Sequence, residues 1–454
     1  MNSSRTSDRT DDSTIATDAS RESPQVTQST SRHIAVIGGG IVGACTALAL
    51  LKDEYQVTII EPQQPGGEQA ASYGNGAFLS PASIIPMSMP GLWKKVPGYL
   101  LDPNGPFTIR WRFLLKLAPW LARFVQAGAT RSKVARTARI LSGLLADAPA
   151  RHQALATANG LSELVRRDGL LYVYPDRQAF AQEALSWQLR RENGLQWKEL
   201  DGRALRALEP DLSDRYTFGI LLESGGHCLD PGSYVQGLVG SATSLGAKLL
   251  KAKAQSFQIE SGRLLGVFTD RGMVQCDGAV IAAGIHSKAL AAQAGDRVSL
   301  ESERGYHVQI VQPHRGPRIP IMPSDGKMAN TLTRSGLRAS GQVELASIES
   351  PADWRRADIL LHHLLQTYPG LDQGSEHMEI KKWLGHRPST PDGLPVIGQA
   401  SATPDIVYAF GHGHVGLASG PMTGEIIASI FAGRAPPMDI APFAARRFYQ
   451  ARHR

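Results

Sequence analysis

The apolar pattern begins abruptly at His33. Residues Met1–Arg32 are rich in Ser, Thr, Asp and Arg and nearly free of large apolar side chains. Such a segment cannot bury enough surface to offset the entropy of ordering, so a disordered tail is expected. It has neither the apolar centre nor the small-residue cleavage pattern of a secretory signal. His33-Ile34-Ala35-Val36-Ile37 is then a continuous apolar run bounded by glycine, which predicts a short buried strand. Ile41 to Leu51 is apolar and alanine-rich over the length of a helix, and Gln56-Val57-Thr58-Ile59-Ile60 predicts a second strand. Strand, glycine turn, helix and strand in that order make a βαβ unit.

Further along, Ala127 to about Gln188 alternates apolar and charged positions at helical spacing, as expected of helices covering a second domain. The β-type clusters Leu170–Tyr174 and Phe218–Leu222 predict strands of a sheet in that domain. From Gly246 the pattern returns to α/β. Lys248 to Phe257 reads as a strand, Arg263–Thr269 and Gly272–Cys276 as a hairpin, and Asp277–Gly284 as a buried strand ending in small residues. Small residues at that end let backbone approach a bound ligand. A second β-rich stretch, Tyr306–Val311 and Leu337–Ala346, follows, and Leu417–Phe431 predicts a helix.

The turn after the first strand is Gly38-x-Gly40-x-x-Gly43. These glycines suit a tight turn, close backbone approach to a pyrophosphate and close helix–strand packing, with the helix N-terminus facing the phosphates. Glu61 ends the second strand 18 residues beyond Gly43, placed to accept hydrogen bonds from a ribose diol. No arginine directly follows it, so a ribose 2′-phosphate is not expected. A second glycine signal, Gly411-His412-Gly413-His414-Val415-Gly416, opens the predicted C-terminal helix.

Length and composition narrow the class. A chain of 454 residues implies two or three domains, and 42% hydrophobic residues is ordinary for a globular protein. Cys45, Cys228 and Cys276 are scattered without metal-like spacing, so no metal site and no disulfide framework is expected, Cys45 reads as core, and a reducing, cytoplasmic compartment follows. No apolar run approaches the length of a transmembrane helix. The formal charge of +7 conceals a basic segment: between Trp93 and Leu141, ten Lys or Arg residues face one acid, Asp102, a net of +9. Within it Phe113, Leu117, Trp120 and Phe124 share one helical face and Arg112, Lys116 and Arg123 another. Two readings stay open: a helix packed on the substrate domain with a solvated basic face, or peripheral contact with the anionic inner face of the cell membrane. Nucleic acid is not expected, since no binding module accompanies the charge.

The two glycine signals, the loop Ser72-Tyr73-Gly74-Asn75-Gly76-Ala77, the strand end Ala282-Ala283-Gly284 and the stretch Arg387-Pro388-Ser389-Thr390-Pro391-Asp392-Gly393-Leu394-Pro395-Val396-Ile397-Gly398 occur together in order. In this the chain resembles the FAD-dependent amine oxidoreductases of the D-amino-acid oxidase superfamily. Ser72 to Trp111, with Leu79-Ser80-Pro81, Met89-Pro90-Gly91 and Leu101-Asp102-Pro103, is similar to the bacterial D-amino-acid dehydrogenase branch. The resemblance implies an α/β fold, with a Rossmann-type FAD-binding domain assembled from residues 33–92, 215–298 and 384–436. An α+β substrate domain with a mostly antiparallel sheet would come from 93–214 and 299–383, and 437–454 would be a C-terminal extension. No cysteine falls where covalently flavinylated members attach the cofactor, so FAD is expected to be noncovalent.

The residues expected to hold FAD are Gly38, Gly39, Gly40, Ile41, Val42, Gly43, Glu61, Ser72, Asn75, Gly76, Ala254, Ala283, Gly284, Gly411, His412, Gly413, Val415 and Gly416. The second glycine loop would present backbone N–H groups and a helix dipole to the charge near flavin N1 and the C2 carbonyl. Arg387 is the candidate for the substrate α-carboxylate, since a planar guanidinium binds it bidentately; the alternative is an arginine paired with an acid or capping carbonyls. Tyr306 lies in a strand that in this family faces the substrate region, which implies contact with carboxylate or amine; the alternative is a tyrosine of the core or sheet edge, as is common in strands. His412 and His414, flanked by glycine, suit local or flavin hydrogen bonds better than the role of a base. The implied reaction is oxidative deamination of a D-amino acid to a 2-oxo acid and ammonia, with hydride passing from Cα to flavin N5 and electrons to a quinone or respiratory acceptor. A D-hydroxyproline or other cyclic imino-acid dehydrogenase, and a glycine- or sarcosine-type oxidase using oxygen, are the alternatives.

Overall fold

In a computed structural model that describes residues 31–92, 105, 107–371 and 378–449, the predicted βαβ unit forms the centre of a six-stranded sheet. His33–Ile37 pairs in parallel with Gln56–Ile60 on one side and Gly278–Ile281 on the other. Lys248–Leu250 and Ile406–Phe410 extend the parallel sheet, and Val396–Gln399 closes one edge antiparallel. The inner strands are continuous apolar runs because both faces are covered. On one face lie the helices Ile41–Lys52, Pro231–Ser244 and Gly416–Phe431. On the other lie the three-stranded meander Ala254–Glu260, Arg263–Thr269 and Gly272–Gln275 and the helix Ser287–Gln293. All three cysteines are buried and free. The span expected to run as one strand from Lys248 to Phe257 breaks after Leu250, where Ala252 N–H bonds to the Leu250 carbonyl and turns the chain out of the sheet.

A nine-stranded, mostly antiparallel sheet forms the second layer system. Its order is 380–389, 301–310, 336–345, 329–333, 321–323, 170–174, 218–222 and 198–201, with Phe107–Ile109 pairing alongside 343–345. The predicted segment boundaries shift in two places. Phe218–Leu222, read above as a strand of the second domain, does pair with Leu170–Tyr174 and Lys198–Asp201 in this second sheet, so the boundary drawn at 215 falls too early. Ile380–Ser389 runs unbroken across the expected boundary at 384 and carries Arg387 on the second sheet. Strand-forming composition does not say which sheet a strand joins; pairing partners decide that. The described residues from Arg32 onward form one compact unit. The tail before Ser31 and most of the Trp93–Pro106 stretch lie outside the described residues. Of the expected C-terminal extension, the described part packs Phe443 and Phe448 into the cores.

The basic amphipathic stretch is a 3-10 turn, Trp111–Phe113, leading into a helix, Leu114–Ala127. Leu117, Trp120 and Phe124 turn inward against Ile109 and Leu345, and Trp120 Nε1 donates to the Ser389 carbonyl at 3.3 Å. Those aromatics are therefore committed to the protein interior. The outer side exposes Leu115 (90%) and Trp111 (61%) between Arg112, Lys116 and Arg123. Among the described residues no helix is long and apolar enough to cross a membrane.

Candidate active site

The strand ends of the first sheet, the inner edge of the second and the helix Leu114–Ala127 enclose a cavity of about 1240 Å³. One end is built by the first βαβ unit. Gly38 has φ +113°, and a Cβ there would stand 2.5 Å from the Ala282 carbonyl oxygen, so only glycine permits the turn against the neighbouring strand end. A Cβ on Gly43 would meet the Gly38 carbonyl at 1.9 Å, so this residue sets the helix against the turn. Gly38, Gly40, Ile41 and Val42 line the cavity where the first helix begins, whereas Gly39 and Gly43 lie behind it. Gly39 N–H donates to Glu61 Oε2 at 2.8 Å and Gln63 N–H to Oε1 at 3.2 Å, which fixes the carboxylate at the cavity edge. Ser72 Oγ accepts from Ile41 N–H at 3.2 Å, joining the Ser72–Ala77 loop to the helix start. Ser72, Asn75 and Gly76 line the wall, as do Ala254, Ala283 and Gly284.

The other end is the second glycine loop. Gly411, His412, Gly413, Val415 and Gly416 line the cavity at the start of the helix Gly416–Phe431. This helix packs tightly on Ile41–Lys52, since a Cβ on Gly424 would stand 2.7 Å from the Cys45 carbonyl oxygen. Two helix N-termini are thereby brought to the same cavity. His412 is buried, with Nε2 3.1 Å from Thr423 Oγ1, and burial pushes its imidazole down to about 3. It stays neutral and structural. His414 instead reaches Glu303, with Nε2 to Oε2 at 2.6 Å. Burial pushes the Glu303 carboxyl up, but the His414 pair, the Arg387 charge and the Ser389 hydroxyl together hold it below the usual carboxylate range.

Arg387 lines the cavity from the second sheet. Its Nη1 donates to the Gln342 carbonyl at 3.0 Å and Nη2 to the Gly341 carbonyl at 3.3 Å. Those bonds orient the guanidinium and leave further donors for a ligand. Burial lowers its pKa while nearby Glu303 opposes that shift. The strand Glu301–Ile310 places Glu303, Gly305 and His307 on the side facing this region. Tyr306 consequently points the other way, which corrects the expected substrate contact. Its hydroxyl donates to Glu344 Oε2 at 2.7 Å and accepts from Asp353 N–H at 3.0 Å. Burial and that carboxylate raise the phenol well above its ordinary value.

Sequence reasoning missed Glu303, Gly305 and Trp383. The Trp383 ring stacks on His307 at 5.1 Å, lies over Gly385, and donates from Nε1 to the Glu68 carbonyl. The only available signal was the placement of Gly74 and Gly385, where a Cβ would strike the indole at 2.0 and 1.9 Å. It is not recognisable without the fold.

The cradle fits a flavin dinucleotide on its own geometry. One cavity joins a βαβ glycine turn, an acid fixed by the Gly39 amide, and a second helix N-terminus. Anionic phosphates and an electron-rich ring both favour helix N-termini. Among the described residues no cluster suited to a metal ion is found.

Comparison with known proteins agrees with this geometry. Residues 33–430 match the family described as FAD dependent oxidoreductase (DAO). A D-amino-acid oxidase of Bradyrhizobium diazoefficiens is 49% identical over 92% of this chain and 99% of its own length. D-amino acid dehydrogenase 2 of Ralstonia nicotianae is 30% identical over 91% of this chain and 100% of its own length. Among solved structures, glycine oxidase from Geobacillus kaustophilus superimposes with a TM-score of 0.69 at 20% identity, covering 92% of this chain and 99% of that one, and so supports the fold. With its cavity flanked by two glycine loops and matched from the first strand to the last helix, the chain belongs to the DAO family of FAD-dependent oxidoreductases.

Proposed function

We propose that this protein oxidatively deaminates a D-amino acid to a 2-oxo acid and ammonia. The observation that carries the reading is the Arg387 guanidinium, lining the cavity beside the Gly411–Gly416 loop and held by two backbone carbonyls. Bound FAD supplies the two-electron acceptor for the hydride lost from Cα. The protein's share is orientation: Arg387 takes the α-carboxylate, and Leu121 and Phe124 of the covering helix exclude water from the cavity. If the amine arrives neutral, no further acid or base is required.

The names of the relatives support a D-amino acid as substrate. They differ over the acceptor. The relative at 49% identity is named an oxidase, which favours dioxygen. The dehydrogenase at 30% identity supports the quinone or respiratory acceptor expected from the sequence. A panel of D- and L-amino acids and glycine, assayed both with an oxygen electrode and with an artificial dye under nitrogen, tests substrate and acceptor together. Turnover of D-amino acids is expected. Oxygen uptake with peroxide formation would identify the oxidase, whereas dye reduction without oxygen uptake would identify the dehydrogenase. Turnover confined to L-amino acids or glycine would overturn the substrate reading.

Peripheral membrane contact forms part of the proposal, through the outer face of the covering helix. Exposed Leu115 and Trp111 beside Arg112, Lys116 and Arg123 combine apolar and basic side chains of the kind that suits an anionic lipid surface.

A further inference from the structure

The reaction proposed above needs the lone pair of the amine, because a C=N bond forms only as nitrogen lends its electrons while hydride leaves Cα. At neutral pH an amino acid arrives as an ammonium, so a proton must first leave the nitrogen. Beside Arg387 stand two groups that binding of the carboxylate leaves unused, Glu303 and His414.

Glu303 lies directly opposite Arg387 on the neighbouring strand, so their side chains share a face and their charges act on each other. The carboxylate is buried and does not line the main cavity. His414 does line it, with its side chain 40% exposed, and places Nε2 2.6 Å from Glu303 Oε2. An ionised carboxylate can only accept, so Nε2 carries the hydrogen of that bond and Nδ1 of the neutral ring keeps its lone pair. Among the described residues Nδ1 has no hydrogen-bond partner. A buried acid thus fixes the tautomer of an accessible imidazole, the arrangement that suits a general base. The other charged or titratable groups around this loop are engaged with one another: Lys327 pairs with Glu183 at 3.6 Å, Asp392 with Arg447 at 2.8 Å, and His412 is buried against Thr423.

An α-nitrogen lies two bonds from the carboxyl carbon, so a carboxylate on Arg387 brings the nitrogen to the same cluster. We propose that His414 takes the proton of the substrate ammonium at Nδ1, with Glu303 as its positioning residue. The assignment rests on the reading of Arg387 given above. The N–H bond breaks, its electron pair stays on nitrogen, and the proton makes an imidazolium balanced by the Glu303 charge. That electron pair then forms the C=N bond as hydride leaves Cα for bound FAD, and the imidazolium returns its proton to water.

The test is the pH profile of kcat/KM between pH 6 and pH 10, for the flavin-loaded protein and the D-amino acid that the panel above shows to be turned over fastest. His414→Gln should keep the flavin spectrum and lower kcat/KM at pH 7 by about 10²-fold. The deficit should shrink by about tenfold per pH unit as the free substrate loses its own proton, leaving less than about threefold at pH 10. Glu303→Gln, which retains an acceptor for Nε2 but not the charge, should lose about tenfold at pH 7 and recover in the same way. A purely structural part for the pair would give a deficit independent of pH. Such a constant deficit, full activity of His414→Gln at pH 7, or loss of FAD from both variants overturns the assignment. Recovery confined to His414→Gln removes Glu303 from it. A wild type that turns over no D-amino acid with either acceptor would instead overturn the functional reading, and this assignment with it.

Discussion

Gly305 makes room for Arg387. The two lie diagonally on neighbouring strands, Gly305 opposite Gly385 and Arg387 opposite Glu303, and the guanidinium folds over the glycine so closely that a Cβ would stand 2.2 Å from Cζ. The obstructing atoms belong to the end of a flexible side chain, so Gly305→Ala should fold and retain FAD while displacing the guanidinium. The expected result is a rise in KM of about tenfold or more with little change in melting temperature, since misplacing a carboxylate clamp loses binding that depends on geometry. Steady-state kinetics and thermal melts on the same preparation check it.

Removing the guanidinium outright should cost more. Arg387→Ala is expected to keep the flavin spectrum and to lower kcat/KM on the order of 10²-fold, because a charge-assisted hydrogen bond contributes roughly 1.5–3 kcal/mol. Near-normal kinetics would reduce Arg387 to a cap for the Gly341 and Gln342 carbonyls.

Gly43→Ala makes a different prediction, because the atom its Cβ would strike at 1.9 Å is backbone, the Gly38 carbonyl oxygen. Helix and turn must separate, at a cost of about 1–3 kcal/mol by analogy with overpacked cores. The variant should bind FAD about fivefold to about 150-fold more weakly if that cost falls on the cradle. In the wild type, acid precipitation should release the flavin into the supernatant; yellow colour kept in the pellet would show a covalent link.

Stability should fall on mild acidification, and the sign follows from the buried imidazoles. Burial pushes His412 down to about 3, and burial with the Arg338 charge pushes His307 to about 3. In the unfolded chain each takes a proton below its ordinary value of about 6.5, while in the folded chain each remains neutral. The unfolded state therefore binds more protons as the pH falls from about 6.5 towards 3, and stability declines through that window. Glu303, held below its ordinary range, adds to the decline only further down, as pH falls through its own folded value. Urea unfolding of the flavin-loaded protein between pH 7 and pH 5 should show this slope, and His412→Gln should flatten it by up to about 1.4 kcal/mol per pH unit.

Cosedimentation with vesicles tests the outer face of the covering helix. The wild type is expected to pellet with anionic vesicles at low salt, to be released as salt screens the charges, and to ignore neutral vesicles. Combined Arg112→Glu, Lys116→Glu and Arg123→Glu should abolish pelleting, and Leu115→Ser with Trp111→Ser should weaken it. A wild type that stays in the supernatant at low salt would leave the basic face merely solvated.

Much of the cofactor cradle was legible in the sequence because its signals are local. A buried strand, a glycine turn and an apolar helix are fixed by periodicity and backbone sterics within a few residues, and Glu61 lies one strand away. Arg387 was legible only as a residue type suited to carboxylate, within a recognisable stretch. The tertiary structure decided what periodicity leaves open. Alternation along Glu301–Ile310 requires Glu303, Gly305 and His307 to share one face and Arg304, Tyr306 and Val308 the other, but does not say which face meets the cavity. The answer came from distant partners: Arg387 folds over Gly305, while Tyr306 joins Leu360 and Leu364 of the helix Arg355–Thr367 in the opposite core. The inward commitment of Trp120 and Phe124, and the meeting of two helix N-termini at one cavity, have the same origin: the sequence determined each element and its two faces, while packing against elements far away in the chain chose which face was buried.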